Sequence, residues 1–302
     1  MTPAVSVLIP AYNNAGTIVR CLESLVAQAH QYDAEIIVVD SSADGIAGII
    51  ARTFPSVRLL HVEHRLFPDQ ARATGVQLAR GALIAFIDAD CTASPNWLST
   101  KLAAHRSGHE IVFGNIRCHP DSNLIGWAYY FTEFSFYLQY TERGHVKTGA
   151  TCNLSLHREL FELVHFREQA NLSLDEQLLR DFHRLGKEIY FEPSHTVFHY
   201  YDRPLLEFLK HTFLHGRDSA LLDYDYGTVR YLRNSLYLLA GPLLPLLKFG
   251  LLVSWVFRAQ DKLRLKFIST IPATLCGVTA WTCGSWWAHF KRLPKSFLAK
   301  KQ

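Results

Sequence analysis

The stretch ALIAFIDAD, residues 82–90, decides the fold, because it is a short, continuous apolar run that ends in two carboxylates. Three similar runs precede it: VSVLIPA (5–11), EIIVVD (35–40) and VRLLHV (57–62). Such runs are typical of central parallel strands that are covered on both faces. Helical segments of about 15 residues separate them. The pattern therefore predicts an α/β fold with a doubly wound, mixed but mostly parallel sheet, Rossmann-like in its first half.

Polar residues follow three of the predicted strands. Pro10-Ala11-Tyr12 closes the first strand, Asp40 the second, and Asp88-Ala89-Asp90 the fourth. In such sheets, ligands bind beyond the carboxyl ends of the strands. Two carboxylates at a strand end can both reach a divalent cation, and Mg²⁺ or Mn²⁺ held there would neutralise a diphosphate leaving group. A solvated turn between strand and loop is the alternative for a bare Asp-x-Asp.

The loop after the first strand disfavours two other enzyme classes. A nucleotidyltransferase would carry a glycine-rich basic loop there, but PAYNNAGT (10–17) contains no Lys or Arg. A nicotinamide dehydrogenase would carry G-x-G-x-x-G at this place, and the sequence lacks it.

Charge divides the chain into an acidic body and a basic tail. Residues 1–229 carry 19 Lys and Arg against 26 Asp and Glu, whereas residues 230–302 carry 12 against one. The two net charges, −7 and +11, combine to the +4 of the whole chain. The basic residues of the tail flank two apolar stretches, 235–257 and 267–290, each long enough to span a hydrocarbon core of ~30 Å. This pattern favours a membrane surface over nucleic acid as the partner.

Three arrangements of the tail remain open. A spanning hairpin would put the basic connector, residues 258–266, outside the cell, against the positive-inside tendency. A re-entrant or interfacial hairpin keeps every basic residue on the cytosolic side, and a buried pair of core helices is the third arrangement. The N-terminus, MTPAVSVLIPAYNN, lacks the pattern of an export signal. We therefore expect a catalytic body facing the cytoplasm, over 1–229, and a membrane-associated helical hairpin with a basic tail, over 230–302.

The order of motifs along the body resembles that of the family 2 glycosyltransferases, which have the GT-A fold. The segments that carry the resemblance are VSVLIPAYNN (5–14), EIIVVDSSADG (35–45), QARATGVQLARG (70–81), FIDADCTASPNWL (86–98), GATCNLSLHRELF (149–161), SLDEQLLRDFHRLG (173–186) and PSHTVFH (193–199). They imply a nucleotide-sugar half over 1–118 and an acceptor half over 119–229.

The resemblance also implies an inverting transfer of a sugar from a nucleotide-sugar, with a UDP-sugar as the expected donor. Asp40 would accept a hydrogen bond from the base, and Arg72 would lie over the base or the diphosphate. Asp88 and Asp90 would hold the ribose and the metal-bound diphosphate, with Asp90 as the main metal ligand. Pro10, Ala11 and Tyr12 would line the nucleoside pocket, and Ala89, between the two aspartates, would also contact the donor. His199 is one further candidate metal ligand.

The acidic pair Asp175-Glu176 stands where the family has its Glu-Asp pair, at the start of a helix. An inverting transfer needs one base for the proton of the acceptor hydroxyl. Adjacent helical residues point to different faces, so only one of the two can enter the cleft. By family position that residue is Glu176, and Asp175 stays open because the usual order is reversed. Acids in a first helical turn are also stabilised by the helix dipole, which is the structural alternative. If the acceptor is a phosphate, the pair would orient it and no base is needed.

Two departures from the family pattern narrow the expected activity. Ala73 follows Arg72 where the family commonly has Asn, and HTFLHGRDSA (211–220) replaces the Arg/Gln-x-x-Arg-Trp motif of processive synthases. Processive synthesis is therefore disfavoured. The expected acceptor is lipid-linked or a glycan, in envelope or extracellular polysaccharide or glycolipid synthesis. A soluble acceptor and an inactive membrane scaffold are the alternatives, and the presence of all the acidic site residues speaks against the scaffold.

Overall fold

The computed structural model describes residues 2–164, 166, 174–222, 241–259 and 261–291. The chain divides into two compact units. The first, here called the sheet unit, comprises Met1–Ser122 and Tyr140–Tyr201. The second, here called the helical unit, comprises Asn123–Gln139 and Asp202–Gln302.

The strands and helices alternate over the first half of the chain, as the sequence predicts. The strands are β1 (Val5–Ala11), β2 (Ala34–Asp40), β3 (Arg58–His61), β4 (Leu83–Phe86), β5 (Cys91–Ala93), β6 (Ile111–Cys118), β7 (Gly144–Val146), β8 (Leu154–His157) and β9 (Ile189–His199). The helices are α1 (Ile18–Gln31), α2 (Ile46–Thr53), α3 (Pro68–Leu78), α4 (Trp97–Arg106), α5 (Leu124–Phe134), α6 (Leu174–Arg184), α7 (Leu205–Leu222), α8 (Leu244–Arg258) and α9 (Asp261–Lys291). Short 3₁₀ helices cover Ser135–Gln139, Thr151–Asn153, Arg158–Glu162 and Gly241–Leu243.

The described strands of the sheet unit form one mixed sheet in the order β3-β2-β1-β4-β8-β6-β9-β5, with β7 also on β9. β3, β2, β1 and β4 are parallel. Val7, Leu8 and Ile9 of β1 are all buried, because helices cover both faces of this central strand. The predicted α/β class with a mixed sheet is confirmed. Among the described strands, four pairings are parallel and four are antiparallel, so the sheet is mostly parallel only in its first half.

The second half of the sheet is where antiparallel strands enter. β8 lies antiparallel between β4 and β6, and β9 runs parallel to β6. β5 and β7 pair antiparallel with the two ends of β9. The β6–β9 register jumps between Gly114 and Asn115, which face Glu192 and Thr196 respectively. The residues skipped by this bulge, 193–195, place His195 in the core.

The helical unit contains α5, α7, α8 and α9, with α9 packed along α7 and α5. Glycines permit the close approach of α7 and α9, because a Cβ at Gly216 would overlap the carbonyl of Trp281 and one at Gly284 the carbonyl of Phe213. Between the helices, the buried carboxylate of Glu133 contacts Nδ1 of His215, whose side chain is partly exposed. Burial lowers the pKa of Lys248 to about 7, and its Nζ lies 3.1 Å from the ring centre of Trp281.

The prediction of membrane-spanning helices over 235–257 and 267–290 is not supported. Among the described residues, no helix combines the length and the apolar character needed to cross a bilayer. α8 has 15 residues, or about 22 Å of helix, against a hydrocarbon core of about 30 Å. α9 has 31 residues, but polar side chains such as Thr270, Thr274 and Ser285 are buried along it and lower its hydropathy. Residues 235–240 lie outside the described part of the chain.

Candidate active site

The Asp-x-Asp motif lies in a tight turn between β4 and β5. The sequence predicts one strand to residue 90, but β4 ends at Phe86 and the carbonyl of Asp88 accepts a hydrogen bond from the N–H of Cys91 at 2.9 Å. Ala89 is buried, whereas the side chains of Asp88 and Asp90 are 26% and 29% exposed. The turn therefore presents both carboxylates at the edge of the sheet, where they remain accessible to a ligand.

A buried arginine fixes the first of these carboxylates. Nη2 of Arg72, in α3, donates to Oδ1 of Asp88 at 2.6 Å. Its Nη1 donates to Oδ1 of Asp69 at 2.8 Å, one turn earlier on the same helix. Because the side chains of Arg72 and Asp69 are only 6% and 4% exposed, water screens their ion pair poorly. Asp69 thereby orients the guanidinium, and the guanidinium orients Asp88.

The second carboxylate is joined to the far end of β9. Cys91 is the register partner of His199, and the carbonyl of Asp90 accepts a hydrogen bond from the N–H of Tyr200 at 2.8 Å. These backbone contacts bring Oδ1 of Asp90 to 3.6 Å from Nε2 of His199. The structure thus unites two predicted site residues that are distant in sequence.

The donor atoms around Asp90 suit a divalent cation. Within the described ranges, Asp90, Cys91 and His199 form the one cluster with metal-ligating atoms all within 4.8 Å of each other. Carboxylate oxygen and imidazole nitrogen are ligands that Mn²⁺ accepts. Burial raises the pKa of the Cys91 thiol well above its usual range, which disfavours the thiolate form that binds metals. Asp90 and His199, with Asp88 beside them, are the residues that would hold the metal.

The other predicted donor-binding residues lie at the ends of β1 and β2. Ala11 and Asp40 are register partners, so the ends of these two strands meet at the same edge of the sheet. Asp40 is fully buried, and its Oδ2 lies 2.7 Å from Nδ1 of His61. Its Oδ1 accepts hydrogen bonds from the backbone N–H and the hydroxyl of Ser42. The carboxylate is thus held rigidly by protein partners.

An aromatic and cationic group stands beside the end of β1. Tyr12 is 36% exposed, and the guanidinium of Arg65 lies 4.6 Å from the centre of its ring. The same guanidinium lies 5.1 Å from the ring centre of Phe67. Pro10 is half-buried just before this group. An exposed ring with a cation over it offers both stacking and charge to a planar anionic ligand.

The structure therefore pairs Arg72 with Asp88 and His199 with Asp90 on the two sides of one turn, and it brings Ala11 beside Asp40 at the ends of β1 and β2. Asp175 and Glu176 lie in the first turn of α6, and their side chains are outside the described part of the chain. Three supporting residues are absent from the sequence-based prediction. Asp69 could have been found from its spacing of three residues before Arg72 on a helix. His61 and Arg65 carry no such local signal, because their partners come from other strands and loops: Asp40 and Tyr12.

Comparison with solved structures shows the fold. TarS of S. aureus (residues 1–349) superposes with a TM-score of 0.55 at 16% identity, over 91% of this chain and 80% of that one. GalNAc-T7, solved with UDP, GalNAc and Mn²⁺, gives a TM-score of 0.54 at 18% identity, over 76% of this chain and 53% of that one. At these identities the likeness extends to the architecture alone, and this architecture is of the GT-A type.

Sequence comparison identifies the family. The chain is 30% identical over 170 residues to the glycosyltransferase AglE of Haloferax volcanii, which covers 54% of this chain and 55% of AglE. The chain thus matches about half the length of that relative. Residues 6–164, just over half of this chain, match the family described as "Glycosyl transferase family 2", and they include the Asp88–Asp90 turn and Arg72. With this match and the GT-A-like sheet that carries those residues, the chain belongs to glycosyl transferase family 2.

Proposed function

We propose that the enzyme transfers a sugar, with inversion, from a UDP-sugar to a lipid-linked or glycan acceptor in envelope or extracellular polysaccharide or glycolipid synthesis. The observation that carries this proposal is that both carboxylates of one turn are held in place: Asp88 by the buried Arg72 at 2.6 Å, and Asp90 beside His199 at 3.6 Å. Two carboxylates and an imidazole at a sheet edge suit a metal-bound diphosphate. The structural neighbour GalNAc-T7, crystallised with UDP and Mn²⁺, supports the same donor class and metal.

We assign the donor-binding roles as follows. Arg72 holds Asp88 through Oδ1, and we assign the other oxygen of Asp88 to the ribose or the diphosphate. Pro10, Ala11 and Tyr12 would line the nucleoside pocket, with Asp40 as an acceptor for the base. Mg²⁺ or Mn²⁺, held by Asp90 and His199, would neutralise the charge that develops on the leaving diphosphate.

The metal assignment is tested with Asp90→Asn. We expect transfer to fall by about 100-fold or more, because one charged ligand of the cation is lost, while thermal stability is kept. Binding of UDP, measured by calorimetry, should lose its dependence on added Mn²⁺. Asp33→Asn is the matched control, since Asp33 is an exposed carboxylate that precedes β2, at the opposite end of that strand from Asp40. Near wild-type transfer by Asp90→Asn in the presence of EDTA would contradict the metal assignment.

The base is assigned to Glu176 on the family position alone. Removing a positioned general base costs about 10²–10⁴-fold in turnover, so Glu176→Gln should show a loss of this size while UDP-sugar binding persists. Asp175→Asn is the matched control, because it is the same change one residue earlier. If Asp175→Asn is the crippling change and Glu176→Gln is mild, the roles within the pair are exchanged.

The acceptor and the location of the enzyme belong to the same proposal. A lipid-linked acceptor would confine the reaction to a membrane, with the catalytic unit on its cytoplasmic side. A screen of UDP-, GDP- and dTDP-sugars against a membrane extract and against soluble glycans separates the acceptor classes. Transfer into the lipid phase from a UDP-sugar is the expected result, and transfer to soluble glycans alone would overturn it.

A further inference from the structure

The outer side of α8 is apolar. Its exposed residues recur every three or four positions, as expected for one face of a helix, and include Leu246, Leu247 and Leu251 at 64%, 59% and 55% exposure. Leu243 and Phe257 extend the stripe at its two ends, and no charged residue interrupts it before Arg258. A helix that faces solvent with leucines reverses the usual pattern, in which the polar face is outside.

A second apolar stripe runs along α9. The exposed large apolar residues of this helix are also spaced at helical intervals, and they are Leu265, Ile268, Leu275, Trp286, Trp287 and Phe290. At the C-terminal end, the rings of Trp286 and Phe290 stack, and Nζ of Lys291 lies 5.0 Å from the ring centre of Trp287. Tryptophan beside lysine is the composition of a membrane interface. Contiguous exposed apolar surface of this kind marks an interaction site.

The positive charge beside the two apolar stripes indicates which kind of partner they contact. Arg258, Lys262 and Lys266 are exposed where α8 passes into α9. Residues 230–302 carry 12 basic residues and one acid, Asp261. A second copy of this chain would bring like charges together, whereas an anionic lipid surface offers the opposite charge and an apolar interior.

We propose that the outer stripes of α8 and α9 form a docking surface for an anionic lipid bilayer, on which the two helices lie in the plane of the interface. The leucines and aromatic rings enter the region between head groups and acyl chains. The basic residues at the α8–α9 junction contact the anionic head groups. This surface belongs to the helical unit, and binding to it requires neither donor nor acceptor.

The first test measures binding of the full chain to phosphatidylcholine vesicles that contain phosphatidylglycerol. The wild type should co-sediment with them, and Leu247→Asp/Leu251→Asp should lower the partition coefficient by about 100-fold, because two leucines no longer enter the apolar region. The matched control is Leu163→Asp/Leu185→Asp, two leucines of the sheet unit that are 58% and 53% exposed, which should bind as the wild type does.

The second test separates charge from apolar contact. Arg258→Gln/Lys262→Gln should weaken binding to the anionic vesicles by about 30-fold and leave weak binding to pure phosphatidylcholine unchanged. Both residues are exposed, so the fold is retained. The proposal is overturned if the wild type does not bind the vesicles, or if the leucine variant binds as well as its control. It is also overturned if the wild type is a dimer in analytical ultracentrifugation that the leucine variant dissociates. None of these readouts depends on sugar transfer, so this proposal and the proposed activity can fail separately.

Discussion

Replacing Arg72 by methionine should affect the protein in two separable ways. The substitution keeps an unbranched apolar stem and removes both ion pairs of the guanidinium, with Asp69 at 2.8 Å and Asp88 at 2.6 Å. Asp69, 4% exposed, would remain as a buried carboxylate without its cation. Removing one member of a buried pair costs about 3–5 kcal/mol. We expect a loss of this size in the free energy of unfolding, measured by urea denaturation.

Arg80→Met is the matched control for that measurement. Arg80 also pairs with a carboxylate, Glu35, at 3.0 Å, but the arginine side chain is 62% exposed. Glu35 is 8% exposed, but without the Arg80 guanidinium it keeps hydrogen bonds from the Ser6 hydroxyl and the backbone N–H of Arg80. Because the charge that is removed is solvated, the control should lose only about 1 kcal/mol or less. A loss for Arg72→Met that is no larger than that of the control would refute the buried-pair argument.

A double variant distinguishes stability from positioning. Asp69→Leu/Arg72→Met replaces the buried pair with apolar side chains, which is often neutral for stability, so most of the lost free energy should return. Asp88 would still lack its hydrogen-bond donor, so binding of UDP-Mn²⁺ should stay weak in calorimetry. Recovery of both stability and binding in the double variant would mean that Arg72 does not orient Asp88.

Two further predictions concern buried groups away from the candidate site. Burial lowers the pKa of Lys248 to about 7 from the ordinary lysine value of 10.5. Between these two pH values the unfolded chain binds a proton that the folded chain does not, so the free energy of unfolding should rise with pH. Lys248→Met should flatten the change in urea midpoint from pH 7 to pH 9, while Lys262→Met, at an exposed position, should leave it unchanged; equal slopes would contradict the assignment. Gly114→Ala should destabilise by about 1–3 kcal/mol, because the new Cβ would overlap the His195 ring and lie 2.5 Å from Nδ2 of Asn153. Gly16→Ala, with nothing within 4 Å, should change the stability by less than about 1 kcal/mol, and similar values for the two variants would exclude this overlap.

The first four strands could be predicted because their signal is local. Each is a run of apolar residues that is decided by its own composition, and the helices between them require parallel pairing. β5 could not be predicted in this way. Cys91–Ala93 has no periodic pattern, and these residues form a strand only because Val197–His199 of β9 pairs with them.

The residues of the candidate site could be predicted where they belong to a motif of neighbouring residues in the sequence. Asp88 and Asp90 belong to such a motif, and the structure places Arg72 in contact with the first. The 3.6 Å approach of His199 to Asp90 depends on sheet register, which no local pattern contains. The tail departs from its prediction for a related reason. A hydropathy sum gives every leucine the same value, although Leu252 is buried and Leu246 lies on the surface. It therefore cannot separate a helix that spans a bilayer from one that is partly packed in the fold.

The position of β9 has a consequence for how the chain can be cut. The matched family region ends at residue 164, whereas β9 begins at Ile189. A fragment ending at the family boundary would leave β5, β6 and β7 without their common neighbour and would expose the unpaired edge of β6, a strand rich in apolar residues. Such edges promote association between molecules. The same cut would remove the N–H of Tyr200 that closes the turn at Asp90. The smallest piece of this chain that can carry the candidate site therefore runs at least to Tyr200.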